Sequence, residues 1–167
     1  MFGLADEEKQ EVIERFLWSA GMSKPYPGKA LYPVIYPGES EWQEGMASRN
    51  QNIPYQYHNG GIWPYIGGFW VTYLAMMGKT KNHVAVAKQE LTKLAQANAI
   101  NDWEFNEYLH GEHGTPMGIP HQSWNAAMYL MAHRAVKDGE CILVESKPTQ
   151  PIATASESES SVPVLGY

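Results

Sequence analysis

The chain has 167 residues, a length that a single buried core can serve. Its net charge of −6, from 12 Lys and Arg against 18 Asp and Glu, comes without any basic stripe, which excludes the electrostatic footprint of a nucleic-acid binder. Six Trp and ten Tyr against four Phe favour side chains with a flat apolar face and a polar handle, a balance that suits sugar rings as well as interfaces.

Residues 6–20 predict a helix, with Asp6 as its cap, acidic residues in its first turn and Gly21 ending it. Val12, Ile13, Phe16 and Leu17 share one face, which is expected to be buried. Residues 22–61 carry Pro25, Pro27, Pro33, Pro37 and Pro54 and predict a long irregular segment. A second helix should open at Pro64, a residue suited to the first helical turn, and run to about Met77. Its core, IGGFWVTYLAMM, is apolar almost all round and is expected to be buried on every side. Thr80 should cap a third helix over 81–99, with Val84, Ala87, Leu91, Leu94 and Ala95 on one stripe and Lys81, Lys88, Gln89 and Lys93 facing water. A loop over 100–119 leads to Pro120, which opens a fourth helix to about Val136; WNAAMYLMA is again apolar all round. The Ser/Thr/Pro/Glu-rich stretch 146–167 has no periodicity and is expected to be a disordered tail behind one unit, 1–145.

Amphipathic and apolar helices alternate, which describes an all-α fold of about four main helices in two outer–inner pairs, a partial α/α toroid with long loops. The loops before the two inner helices, 50–63 and 100–119, should open at the same end and hold most of the Trp, Tyr, His and Asn. Cys141 is the single cysteine, so no internal disulfide is possible. Acidic residues come too early for a signal peptide and no 18-residue apolar run exists, so a cytoplasmic protein with no membrane span is expected.

Two stretches concentrate reactive groups: Tyr55 to Pro64 (YQYHNGGIWP) and Trp103 to Gly111 (WEFNEYLHG), the latter followed by Gly114, Pro116, Gly118 and then Gln122-Ser-Trp124. Gly60 and Gly61 allow the backbone to turn and approach a ligand closely. Tyr57, His58 and Asn59 offer donors and acceptors, and Trp63 a flat face. Glu104 and Glu107 lie among Trp103, Phe105 and Tyr108; partial desolvation there would raise a carboxyl pKa and fit it for proton transfer, whereas the alternative is a loop-anchoring hydrogen bond. No metal or cofactor is expected: His110-x-x-His113 supplies two imidazoles but no fixed third ligand, and Ser123 lacks a nucleophile-elbow context.

The order YHNGGIWP, apolar helix, amphipathic helix, NEYLHGEHGTPMG and QSWNAAMYL over residues 55–135 resembles the C-terminal part of the neutral/alkaline invertase family. It equally resembles the mannosylglycerate hydrolase and α-glucosidase family, including amylo-α-1,6-glucosidase-type proteins, which share the (α/α)6 fold; residues 25–42 carry a weaker echo. The resemblance implies a partial (α/α)6 toroid and inverting glycoside hydrolysis of an oligosaccharide or disaccharide. It implies Glu107 as the general base, with Tyr108 and Gly111 completing its block. It also implies a sugar pocket lined by His58, Asn59, Gly60, Gly61, Trp63 and Pro64, with Gln122 and Trp124 as a matching Gln-x-Trp pair; Tyr57, Trp103, Tyr108 and His110 are further candidate sugar contacts. Leu109-His110 stands where invertases carry Tyr-Asp, a departure that points away from sucrose and towards the debranching-type relatives.

Inverting hydrolysis needs two carboxyl groups about 6.5–9.5 Å apart, and no Asp here matches the context of the family's acid. Four helices are also too few for a twelve-helix ring, so a fragment, a split gene product or a remnant is expected, with the remaining part of the barrel as a partner and helices 64–77 and 120–136 left with uncovered apolar faces. The isolated chain is then expected to hydrolyse nothing. A carbohydrate-binding or interaction module without catalysis remains the alternative from another functional class.

Overall fold

The computed structural model describes residues 5–77 and 81–143. In chain order it contains helix α1 (Glu7–Ser19), a 3-10 segment (Glu44–Asn50), α2 (Pro64–Met76), α3 (Lys81–Asn98) and a single turn, α4 (Ile100–Trp103). Two short strands, β1 (Tyr108–Leu109) and β2 (Pro116–Met117), and α5 (Ser123–Asp138) complete it. The fold is all-helical, a partial α/α toroid. The expected cap Thr80 and the expected tail 146–167 lie outside the described residues.

Three helices make the core. α2 packs along α5 and against α3, and α3 also touches α5. Val71 of α2, Leu94 of α3 and Ala132 of α5 are fully buried together, with Leu91, Tyr129 and Val136 packed around them. Along α3, Ala87, Leu91 and Leu94 follow the expected stripe, but Val84 is 39% exposed and falls outside its buried part. No helix among the described residues is long and apolar enough to cross a membrane.

Several expectations about the helices need correction. α1 forms as predicted, with the Asp6 carboxylate accepting from Lys9 N–H at 2.9 Å, but none of its residues is buried. Val12, Ile13 and Phe16 are 56%, 51% and 51% exposed and Leu17 is half-buried, so the apolar face of α1 is only partly covered among the described residues. The helix is fastened by an edge-to-face contact of Trp18 with Trp70 at 5.3 Å and by Glu14 against His83 at 3.1 Å. Between α1 and α2 lies an apolar cleft of about 450 Å³ lined by Leu17, Ile66, Phe69, Trp70 and Tyr73, so α2 is not enclosed on every side. Periodicity tells which face of a helix is apolar; it does not supply the neighbour that buries it.

The fourth helix begins at Ser123, three residues later than Pro120 suggested. His121 has a left-handed backbone (φ +63°), and the N–H groups of His121 and Gln122 donate to the carbonyls of Glu104 and Phe105. A long-range pairing of the two ends of the loop therefore takes the backbone that would have opened the helix. Nor is α5 buried all round: Leu130 is 66% exposed.

At one end of the helices the loops are sewn into a small ribbon. Ile62 exchanges both backbone hydrogen bonds with Leu109, at 2.8 and 2.7 Å, and Lys29 bridges Ile62 from the other side. β1 pairs antiparallel with β2, Tyr108 facing Met117. Ile62 and Leu109 are fully buried with Ala97, under Tyr26 and Ile100. The long segment 22–61 is irregular as expected, apart from the 3-10 turns. It packs onto this ribbon rather than floating free: Ala30 N–H donates to Gly61 O, and Trp63 N–H to Gly28 O.

Candidate active site

The ribbon places the two reactive stretches side by side and leaves an open cleft of about 440 Å³ between them, lined by Tyr57, His58, Trp63, Tyr65, Glu107 and Trp124. That volume falls within the range of small-ligand sites, roughly 300–1,000 Å³. One wall is an aromatic stack. Trp63 lies nearly parallel to Tyr108 at 5.5 Å, takes the edge of Tyr57 at 5.0 Å and is flanked by His58 at 5.4 Å, while its indole N–H donates to Tyr57 O at 3.0 Å. Most of Trp63 is therefore committed to its neighbours. Trp124 also lines the cleft and is 44% exposed, leaving much of its flat face open.

Glu107 is the one carboxylate among the described residues lining the cleft. Its N–H donates to Ile119 O at 2.9 Å and its Oε2 accepts from Ile119 N–H at 3.1 Å, so the residue is held at the root of the β1–β2 hairpin. Burial pushes the Tyr108 phenol above its usual pKa, and the neighbouring Glu107 charge adds to this by disfavouring a phenolate. Glu104, the other glutamate of the loop, is turned to Asn101, whose amide donates to it at 2.8 Å.

Other residues picked out by sequence are not brought into the cleft. Asn59 is buried and fully used as a loop clamp, its Oδ1 accepting from Ile35 N–H and its Nδ2 donating to the carbonyls of Ile35 and Asn52. Gly60 makes room for the chain itself: at φ +90° a Cβ there would lie 2.3 Å from Val34. Trp103 packs at a tilt against Phe105 and Tyr129, outside the cleft lining, in a run of left-handed residues, Asn101 to Trp103. Tyr108 underlies Trp63, and Gln122 precedes α5 with its amide donating to Ile119 O and Pro120 O.

His110 faces the hairpin tip. It stacks on His113 at 3.7 Å with the rings 3° from parallel, and it accepts from Glu112 N–H through Nδ1 at 3.3 Å. Burial, then the neighbouring His113, lower its pKa from 6.5, with Glu112 opposing. A histidine whose pKa falls on folding binds fewer protons in the native state than in the unfolded one, so its contribution is complete above about pH 6.5 and is lost as the pH drops towards the folded value. Thermal melts between pH 8 and pH 5 should therefore show stability declining below about pH 6.5, and His110→Gln should flatten part of that decline. An identical pH profile in the variant would show that the stack is not responsible.

Two residues that sequence reasoning missed hold the cleft together. Tyr65, directly after Pro64, forms part of its lining. Asn125, fully buried, accepts from Tyr65 N–H at 2.9 Å and donates to Asn106 O at 2.7 Å, tying α5 to the start of α2 and to the residue before Glu107. A polar side chain inside an otherwise apolar helix was the available signal.

Residues 1–139 match the family described as alkaline and neutral invertase. The chain belongs to this glycoside hydrolase family. Among curated relatives it is 30% identical over 140 residues to a probable alkaline/neutral invertase D of Arabidopsis thaliana, covering 79% of this chain and 24% of that protein. It is 29% identical, over 79% of this chain and 23% of the relative, to cytosolic invertase 1 of Oryza sativa subsp. japonica. It is 30% identical, over 68% and 16%, to alkaline/neutral invertase C of Arabidopsis thaliana, a mitochondrial protein by name. The chain thus spans about a quarter of the length of the first two of these relatives.

The match extends the resemblance beyond residues 55–135 and corrects its direction. It runs to the invertases, and the likeness to mannosylglycerate hydrolases and amylo-α-1,6-glucosidases is not supported. Of the departure at Leu109-His110, Leu109 is fully buried in the ribbon core and His110 lies outside the cleft lining, so neither lines the cleft. Relatives in the family carry cytosolic, mitochondrial and chloroplastic names, so membership does not itself assign a compartment.

Proposed function

We propose that this cleft is the water-activating half of an inverting, sucrose-cleaving active site, with Glu107 as the general base. The observation that carries the reading is the joint lining of one cleft by Glu107 and by the aromatic groups Tyr57, His58, Trp63, Tyr65 and Trp124. In the reaction a water oxygen bonds to the anomeric carbon of the glucosyl unit while one water proton passes to the Glu107 carboxylate. The bond to the leaving oxygen breaks, and that oxygen takes a proton from a second carboxyl group, in its acid form. The cleft residues include no such acid, so sucrose cleavage requires one from outside this set, supplied by a partner that completes the ring.

A substrate whose leaving group needs no proton separates the two halves of the chemistry. The 167-residue chain should release fluoride from α-D-glucosyl fluoride, with β-glucose as the first-formed product by proton NMR, and leave sucrose intact. Release no faster than in buffer, or α-glucose formed first, overturns the reading. The single carboxylate of the cleft also favours a second role, sugar binding without turnover; millimolar quenching of tryptophan fluorescence by sucrose together with no fluoride release would support it.

A further inference from the structure

The glycine before Ile119 sets the environment of Glu107. Gly118 has φ +72°, and a Cβ there would lie 2.5 Å from Glu107 Oε2 and 2.8 Å from Glu107 Cβ. An L side chain is thus disfavoured by the backbone and blocked by the glutamate. The space is used by the peptide itself: Ile119 N–H donates to Oε2, while Glu107 N–H donates to Ile119 O. One residue therefore grips both the carboxylate and the backbone that carries it. Oε1 has no hydrogen-bond partner among the described residues.

We infer that Gly118 is a positioning residue that divides the work between the two carboxylate oxygens: the Gly118–Ile119 peptide anchors Oε2, and Oε1 is the oxygen that takes the proton from water. This rests on Glu107 being the general base. A carboxylate fixed by one oxygen presents the other along a single direction, and reaction rates respond steeply to displacements of about 1 Å at a proton-accepting atom. In the fluoride reaction the balance is complete: water oxygen bonds to carbon, a water proton goes to Oε1, and fluoride leaves with the electron pair of the broken bond.

The test uses the full chain and α-D-glucosyl fluoride. Gly118→Ala should lower kcat about 10- to 100-fold with KM changed by less than about twofold, since the sugar contacts stay and the base moves. In a Glu107→Gln background the same substitution should cause no further loss, because the group it displaces is already inactive. Gly118→Asn, which tolerates a left-handed backbone, should give the same pattern and keeps the test readable if the alanine variant fails to fold. An unchanged kcat in a folded Gly118 variant, or a loss that multiplies in the Glu107→Gln background, overturns the inference. If Glu107→Gln itself keeps full fluoride release, it is the general-base reading that has failed.

Discussion

Glu107→Gln is expected to lower fluoride release from α-D-glucosyl fluoride by about 10²–10⁴-fold, the usual contribution of a positioned acid–base group. The substitution is nearly isosteric. The amide oxygen of glutamine can still accept from Ile119 N–H, so the hairpin root and the aromatic wall should survive and the thermal midpoint should move little. What the amide cannot do is take a proton at neutral pH. A fluoride electrode measures the rate and circular dichroism the melt; an intact melt with unchanged release would remove Glu107 from the role proposed for it.

Asn125→Leu should be the most destabilising single change at the site. Leucine keeps the number of side-chain heavy atoms, with bulkier methyls, but leaves Tyr65 N–H and Asn106 C=O without the partner they have now, in a fully buried position. Each unsatisfied buried group costs about 1–3 kcal/mol, so a loss of about 2–6 kcal/mol is expected. Against a typical domain stability of about 5–15 kcal/mol that is a large fraction. Asn125→Asp should also be severe, because it keeps the acceptor for Tyr65 but sets a carboxylate against the Asn106 carbonyl. Urea unfolding gives the number, and a leucine variant within about 1 kcal/mol of the parent would show that the two backbone groups find other partners.

The legible parts of the chain are those whose physics is local. Pro64 announces the start of α2 because its missing N–H costs nothing there, and the stripe of α3 repeats at the helical period. Glu107, Trp63, Tyr57 and His58 stood out as unusual side chains clustered on loops, and the cleft contains all four. What was not legible depends on partners distant in sequence. Asn59 looks like a ligand contact until Ile35, 24 residues away, is found to occupy its amide. Pro120 looks like a helix start until Glu104 and Phe105 take the N–H groups that follow it. Leu109-His110 reads as a change of substrate only until Leu109 is found buried and His110 found outside the cleft lining.

The mutual bonds between Ile62 and Leu109 have a mechanical consequence. The segment bearing Trp63 and the hairpin bearing Glu107 are joined at adjacent residues, so a push on the aromatic side is transmitted to the carboxylate without slack. Such a unit cannot open between Trp63 and Glu107 without breaking both bonds, so the carboxylate stays in register with the aromatic wall. In the reaction proposed for this cleft, differences between leaving groups would then be met on its facing side, with this half as the fixed jaw.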